Sequence, residues 1–432
     1  MNIRLNKACD FSELYAERTE TRSLELTDGL VSQATQTLIQ GVGVRELNGE
    51  STRYTYYMPS QMPDWFRSTP VRLEASAGSS SCGMGAEVDL LHKIESMAHE
   101  VDARVVKVRA VMASTITDVS ILNTLAETPV HDHRERHVLM VHTVLEQDGR
   151  HEMGYASCSL AQPVTEYGDE VWQELVSKAL GQADHLFHAI TPEGGDMPVV
   201  MAAGASGILL HEAIGHAFEA DFNRQGTSIF SDKMGLQICR PGITIVDDAT
   251  RPLCAGTFAF DDEGVPAHCT HLVHDGKLES YLHDRISAKH YGVEPTGNGR
   301  RQSFRHAPVP RMTNTYMLPG EASEEDIIRS VKRGIYAQSF TNGQVQIGAG
   351  DFTFFLKTGF LIEDGRLTAP IRDINIIGNG PRALADISMV GNNLMMDTSA
   401  GYCGKAGQQV PVGQGIPTVL VDRLTVGGMG SI

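Results

Sequence analysis

Apolar and polar positions alternate early in the chain. Ser23-Leu24-Glu25-Leu26-Thr27 is followed by Asp28-Gly29 and a second run from Leu30, and an Asp-Gly turn between two alternating runs predicts a β-hairpin. Val42 to Leu47, Asn48-Gly49 and Thr52 to Tyr57 repeat the pattern, so a β-meander opens the chain behind a helix-like start at Phe11–Glu17. Met58 to Gly85, rich in Pro, Ser and Gly, reads as a long connector. Val88 to Val101 then places Leu91, Ile94, Met97, Ala98 and Val101 at helical spacing. Val105–Ser114, Thr115–Leu122 and His137–Leu145 alternate as three strands, and Trp172–Leu186 carries a second amphipathic helix.

From Met197 onward the texture changes to short apolar strands separated by turns at Asp275-Gly276, Asn342-Gly343 and Asp364-Gly365, with one helical segment at Glu324–Arg333. The fold class expected is α+β. An N-terminal α+β domain with a mixed sheet and amphipathic helices spans 1–190, and a mostly antiparallel β domain carrying the chemistry spans 191–432. The boundary falls at Thr191-Pro192-Glu193-Gly194-Gly195, and no fixed-period repeat is visible.

Composition supports a globular reading, because 432 residues at 41% hydrophobic content can bury a sizeable core without disulfides. Charge narrows the partners: 36 Lys+Arg against 53 Asp+Glu give −17, which repels phosphate backbones and anionic lipid, so neither nucleic acid nor a membrane is expected. The stretch Met1–Asp10 has no apolar run of a secretory signal, and Pro198–Leu210, the longest apolar stretch, is too short to span a bilayer. A cytoplasmic protein is expected. Seven scattered cysteines with no C-x-x-C pair argue against a disulfide framework and a zinc knuckle, leaving most as small buried apolar residues.

The most informative segment runs from Ser206 to Asp221, an apolar helix carrying His211, Glu212 and His216. Metal-dependent peptidases use His-Glu followed by His because the imidazoles hold Zn²⁺ while the Glu deprotonates the water. Here the second His comes five positions on. On a regular α-helix such a pair lies about 140° apart, too far to share an ion. A π-bulge would return both to one face, and Gly215 would ease it. Two core or surface histidines on an apolar helix would leave the same trace. A thiol alters the balance: Cys403 lies in the Gly-crowded Gly401–Gly413 loop, where its side chain could be exposed. Two imidazoles and a thiolate would leave Zn²⁺ with one net positive charge and an open position.

Together these segments resemble the TldD/PmbA family of metallopeptidases, on the side that keeps the zinc motif. The resemblance covers Met197–Asp221, Phe222-Asn223, Ser231-Asp232-Lys233-Met234-Gly235, Asp261-Asp262-Glu263-Gly264 and Gly401–Pro417, and the opening with Asp28-Gly29 and Gly41-Val42-Gly43-Val44-Arg45 is similar too. It implies one Zn²⁺ per chain, with His211, His216 and Cys403 as ligands and Glu212 as the catalytic glutamate. Spacing alone does not choose Cys403 over the other six cysteines. It also implies a homodimer, or a heterodimer with a paralogous zinc-free subunit, around an enclosed cavity that admits peptide or unfolded polypeptide.

The function expected is a zinc-dependent peptidase acting on peptides or unfolded segments. A zinc hydrolase of small amides would share the ligands, and a catalytically silent peptide-binding scaffold is the non-enzyme alternative. Other residues weigh less. His131, His133, His137 and His142 are expected in a polar loop and on a strand's solvent face. Gly348-Ala349-Gly350 lacks the third Gly of a dinucleotide fingerprint, Phe354 standing in its place, and Lys405 lacks the spacing of a phosphate loop. Asp261-Asp262-Glu263 reads as a solvated turn, with a substrate-amine or loop-ordering role possible on the resemblance. Arg300-Arg301 and Arg305 read as a surface patch or an anchor for a peptide carboxylate.

Overall fold

The Asp28-Gly29 turn forms with both residues left-handed, φ 47° and 76°, as a two-residue hairpin of this type requires. It joins β1 (Phe11–Thr27) to β2 (Leu30–Asn48) in a computed structural model that describes residues 5–6, 8–61, 85–126, 128–399 and 401–428. The next turn sits at Gly49-Glu50, one residue later than the sequence suggested, and leads into β3 (Ser51–Tyr57). Most of the Met58–Gly85 connector lies outside the described residues. α1 (Gly85–Val101), β4 (Val105–Asn123), β5 (Val130–Gln147), β6 (Arg150–Leu160) and α2 (Asp169–His188) follow.

The six strands form one sheet in the order β3-β2-β1-β4-β5-β6, with every pairing antiparallel where a mixed sheet was expected. Leu91, Ile94 and Ala98 of α1 and Trp172, Val176 and Ala179 of α2 cover one face over Leu24, Leu26, Val108, Met112 and Val141. Two local expectations fail. Phe11–Glu17 is the first part of β1, not a helix: Phe11, Leu14 and Tyr15 fall at helical spacing by coincidence, while pairing to β2 and β4 fixes the strand. Residues 105–123 form one long strand instead of two, because β1 pairs along its length.

In the second part, β7 (Gly195–Met201), β8 (Arg333–Gln346), β9 (Asp351–Glu363), β10 (Arg366–Ile371), β11 (Ile374–Asn379) and β12 (Val419–Gly428) build another sheet. β8 pairs with both β7 and β9, so the ring β8-β7-β12-β11-β9 closes on itself. Val199, Met201, Ile335, Phe352, Phe354 and Ile376 contribute to its core. A six-stranded sheet lies beside it, in which Asn314–Met317 pairs in parallel with Gly413–Ile416. Three α-helices of six or seven residues punctuate this part, at Arg285–Tyr291, Glu324–Ser330 and Gly380–Ala385, where one was expected over Glu324–Arg333. Arg333 instead begins β8.

The acidic run expected at a solvated turn is buried. Asp261, Asp262 and Glu263 are at most 1% exposed, because they bind groups distant in sequence. Asp261 accepts from the backbone N–H groups of Glu263, Val265 and Gly299. Asp262 accepts from Arg134 Nη1 at 2.8 Å and from the Arg301 N–H at 2.7 Å. Glu263 accepts from Arg45 Nη2 at 2.5 Å. Arg45 also faces Glu13, which Arg301 binds in turn, so the first sheet is tied to the second part by a network of buried charges. Arg300 and Arg301 are therefore core residues, not a surface patch, while Arg305 is exposed. Removing one member leaves opposite charges unpaired in the interior, which costs about 3–5 kcal/mol. Arg45→Met is expected to lower unfolding free energy by about that amount in a denaturant titration.

Candidate metal centre

Five residues, His211–Gly215, form a π-helical turn. The wider turn rotates His216 back toward His211, so their rings sit edge to face with centroids 5.1 Å apart. Leu209, Leu210, Ala213, Ile214, Ala217 and Phe218 are buried around the turn and anchor it in the core. Gly215 has ordinary helical torsions, φ −58°, so it is not needed to ease the backbone. It is needed for space, since a Cβ there would lie 2.2 Å from Met312 Sδ. Gly380 is equally constrained, its Cβ position being 2.1 Å from the Ala213 carbonyl oxygen.

Cys403 lies on the strand Tyr402–Lys405, hairpin-paired to Gln408–Pro411, and it is buried, not exposed in a loop. Its Sγ is 3.4 Å from His216 Nε2. Among the described residues, His211, His216 and Cys403 are the one group of His, Cys, Asp or Glu side chains placed to share an ion, their ligand atoms lying within 4.8 Å of one another. Bonds of about 2.0 Å to nitrogen and 2.3 Å to sulfur place tetrahedral donors roughly 3.4–3.6 Å apart, the spacing of the Cys403–His216 pair. His211 Nδ1 is buried without a hydrogen-bond partner. Two imidazoles and a thiol form a donor set that suits zinc, so these residues fit the ion that the family resemblance implies.

Electrostatics prepares the thiol. Burial would raise it, but the His211 and His216 imidazoles outweigh that and bring it down to about 5. His216 would be lowered by burial, yet the Glu219 carboxylate and Cys403 raise it well above its ordinary value. Sequence reasoning did not single out the groups behind these ligands. Glu219, fully buried, accepts from His216 Nδ1 at 3.0 Å and is ion-paired with Lys405 Nζ at 3.0 Å, with Arg311 Nε 3.8 Å away. Burial raises the Glu219 carboxyl, but Lys405, His216 and Arg311 together hold it at about 2. Arg311 also donates to the Cys403 carbonyl oxygen. A carboxylate three residues after His216 and a lysine two after Cys403 were the available signals; nothing local pointed to Arg311.

Glu212 borders a cleft of about 310 Å³ with His211, Asn342, Gly343, Tyr402 and Gln414. Burial raises its carboxyl above the usual range, opposed by the two imidazoles. Gly343 approaches closely, a Cβ there falling 3.2 Å from Glu212 Cγ. Over Ser339–Gln346 the edge of β8 facing away from β9 has no partner strand among the described residues. The other histidine tract does not converge. His131, His133, His137 and His142 all lie on β5, none in a loop. His133 binds Asp118 and Glu135, and His137, expected at the surface, is buried against Ser114.

Residues 194–428 match the PmbA/TldA metallopeptidase C-terminal domain. The metalloprotease TldD homolog of Haemophilus influenzae is 37% identical over 99% of this chain and 95% of its own length. The zinc metalloprotease TldD homolog of Saccharolobus solfataricus is 35% identical over 55% of this chain and 53% of its own. The crystal structure of TldE from Thermococcus kodakarensis superposes with a TM-score of 0.77 over 98% of both chains at 18% identity, a likeness of fold.

Proposed function

This chain belongs to the TldD/PmbA family of metallopeptidases, and we propose that it is a zinc-dependent peptidase that hydrolyses peptides or unfolded protein segments. The observation that carries the reading is the convergence of His211, His216 and Cys403 beside Glu212 at a cleft. The centre lies in residues 191–432, taken as the metallopeptidase domain, and residues 1–190 are taken as the α+β domain, of which β1, β4 and β5 line a neighbouring pocket. A relative named as a zinc metalloprotease supports the choice of ion.

His211, His216 and Cys403 would hold the zinc ion, which when bound would supply Lewis acidity to water and to a substrate carbonyl. Glu212, raised by burial, takes a proton from the attacking water and returns it to the leaving amine, so no acyl-enzyme forms. The free edge of β8, with Asn342 and Gly343 at the cleft, accepts an extended peptide as an added strand. That pairing reads backbone, which favours peptide over small amides. Glu219 fixes His216 with Nδ1 as the donor and Nε2 turned toward Cys403. Glu219→Gln is expected to weaken zinc affinity about 10- to 100-fold in a chelator competition titration, with little loss of fold.

We place the protein in the cytoplasm, paired with a second copy or with a zinc-free paralogue. Among the described residues no helix is long and apolar enough to cross a membrane, and the six described cysteines are free thiols, which suits a reducing compartment. One protein offered in native and unfolded form, with and without the candidate partner, tests the function. Cleavage of the unfolded form alone is expected. Equal cleavage of both forms would contradict an enclosed site, and no cleavage by zinc-loaded protein under any pairing would favour the scaffold.

A further inference from the structure

A pocket of about 460 Å³ lies between the β1/β4/β5 face and the Cys403 hairpin, and Tyr402 lines both this pocket and the metal cleft. Four guanidinium groups reach it. Two are neutralised: Arg134 binds Asp132 and Asp262, each at 2.8 Å, and Arg301 binds Glu13. The other two, Arg136 and Arg300, have only neutral acceptors among the described residues. Arg136 Nε donates to Ser159 Oγ at 3.2 Å and Nη2 to the Gly401 carbonyl at 3.4 Å. Arg300 donates to the carbonyls of Met312 at 2.6 Å and Pro411 at 2.8 Å. Arg136 Nη1 is buried with no hydrogen-bond partner, and its guanidinium stands 4.3 Å from the Tyr402 ring centroid.

A buried or half-buried cation with no carboxylate bonded to it is costly, and this chain keeps two in one pocket although its net charge is −17; Asp262 and Asp247 act on Arg300 only through space. The acids that share the pocket are already engaged. Glu17 accepts from Thr19 Oγ1 and the Phe304 N–H, Asp262 from Arg134, and Glu135 lies against His133. A guanidinium fork with a free N–H matches a carboxylate in shape and charge.

We propose that this pocket binds a carboxylate of the extended peptide substrate, with Arg136 as its direct partner and Arg300 as the second positive charge. The inference rests on the peptidase reading and adds the substrate's chemistry. Arg136 is fixed on Gly401 and Tyr402, the two residues before Cys403, so a carboxylate held there lies a short length of peptide from Glu212. The carboxylate is either the peptide's C-terminus or an Asp or Glu side chain. The −17 of the whole chain opposes this only at long range, because salt screens exposed charges beyond about 8 Å.

The test is binding of dye-labelled peptides to full-length, zinc-loaded Glu212→Gln protein by fluorescence anisotropy, which needs no turnover. One sequence is made with a free C-terminus or a C-terminal amide, and each form with an internal Glu or Gln. At least tenfold tighter binding of one carboxylate form over its neutral twin is expected, and which pair differs identifies the source. Arg136→Gln is expected to erase that difference while zinc content and amide-form binding stay unchanged. Equal binding of all four peptides would overturn the proposal and leave the peptidase reading standing. So would an Arg136→Gln protein that weakens all four alike or loses zinc, since Arg136 would then only order the Cys403 strand. Absence of any peptide binding would overturn both, whereas carboxylate-selective binding by a wild-type chain that cleaves nothing would overturn the peptidase reading alone.

Discussion

Glu212→Gln protein is expected to retain its zinc and to lose at least 10²-fold in peptide cleavage. The substitution keeps the side chain's length and hydrogen-bonding reach beside His211 but removes the group that accepts a proton, and general-base contributions run to 10²–10⁴-fold. The loss should appear in kcat, with KM little changed, because Glu212 borders the cleft without supplying the strand edge that grips the peptide. Zinc content and cleavage rate, measured on the same preparation, check this. A variant that loses its zinc would make Glu212 a ligand and not a base.

The second large effect concerns the ligands. His211→Ala and His216→Ala each leave two donors, too few to retain an ion that structural and catalytic sites hold with three or four. Both variants are expected to be purified without zinc and without detectable cleavage. A bound ion stabilises the state that binds it, so the wild-type protein should melt at a higher temperature with zinc than after chelation, and neither variant should show that difference. Differential scanning fluorimetry with and without chelator measures it.

Part of this centre was legible in the chain. His211, Glu212 and His216 lie within six residues, and for two imidazoles that share an ion helix geometry calls for the π turn that the structure contains, since a regular helix would separate them. The hairpin at Asp28-Gly29 and the helices around Leu91 and Trp172 were legible for the same reason: local spacing or turn chemistry decides them. What depended on distant contacts was not. Cys403 meets His216 across 187 residues, and only a family resemblance selected it from seven cysteines. Gly215 suggested an eased backbone, whereas its reason is Met312, 97 residues on. Asp261-Asp262-Glu263 and Arg300-Arg301 had the composition of surface segments, and burial followed from pairing with Glu13, Arg45 and Arg134, none of them near in sequence. Phe11–Glu17 misled because three apolar residues at helical spacing say nothing of the two strands that flank them.

His211, His216 and Cys403 are proposed to hold one zinc ion together, and Cys403 joins the set from 187 residues beyond His216. Elemental analysis of metal per chain in wild-type and Cys403→Ala protein, purified side by side, tests it most directly. About one zinc per wild-type chain is expected, and a Cys403→Ala protein stripped of zinc while it stays folded. Full zinc content in Cys403→Ala protein would remove Cys403 from the ligand set.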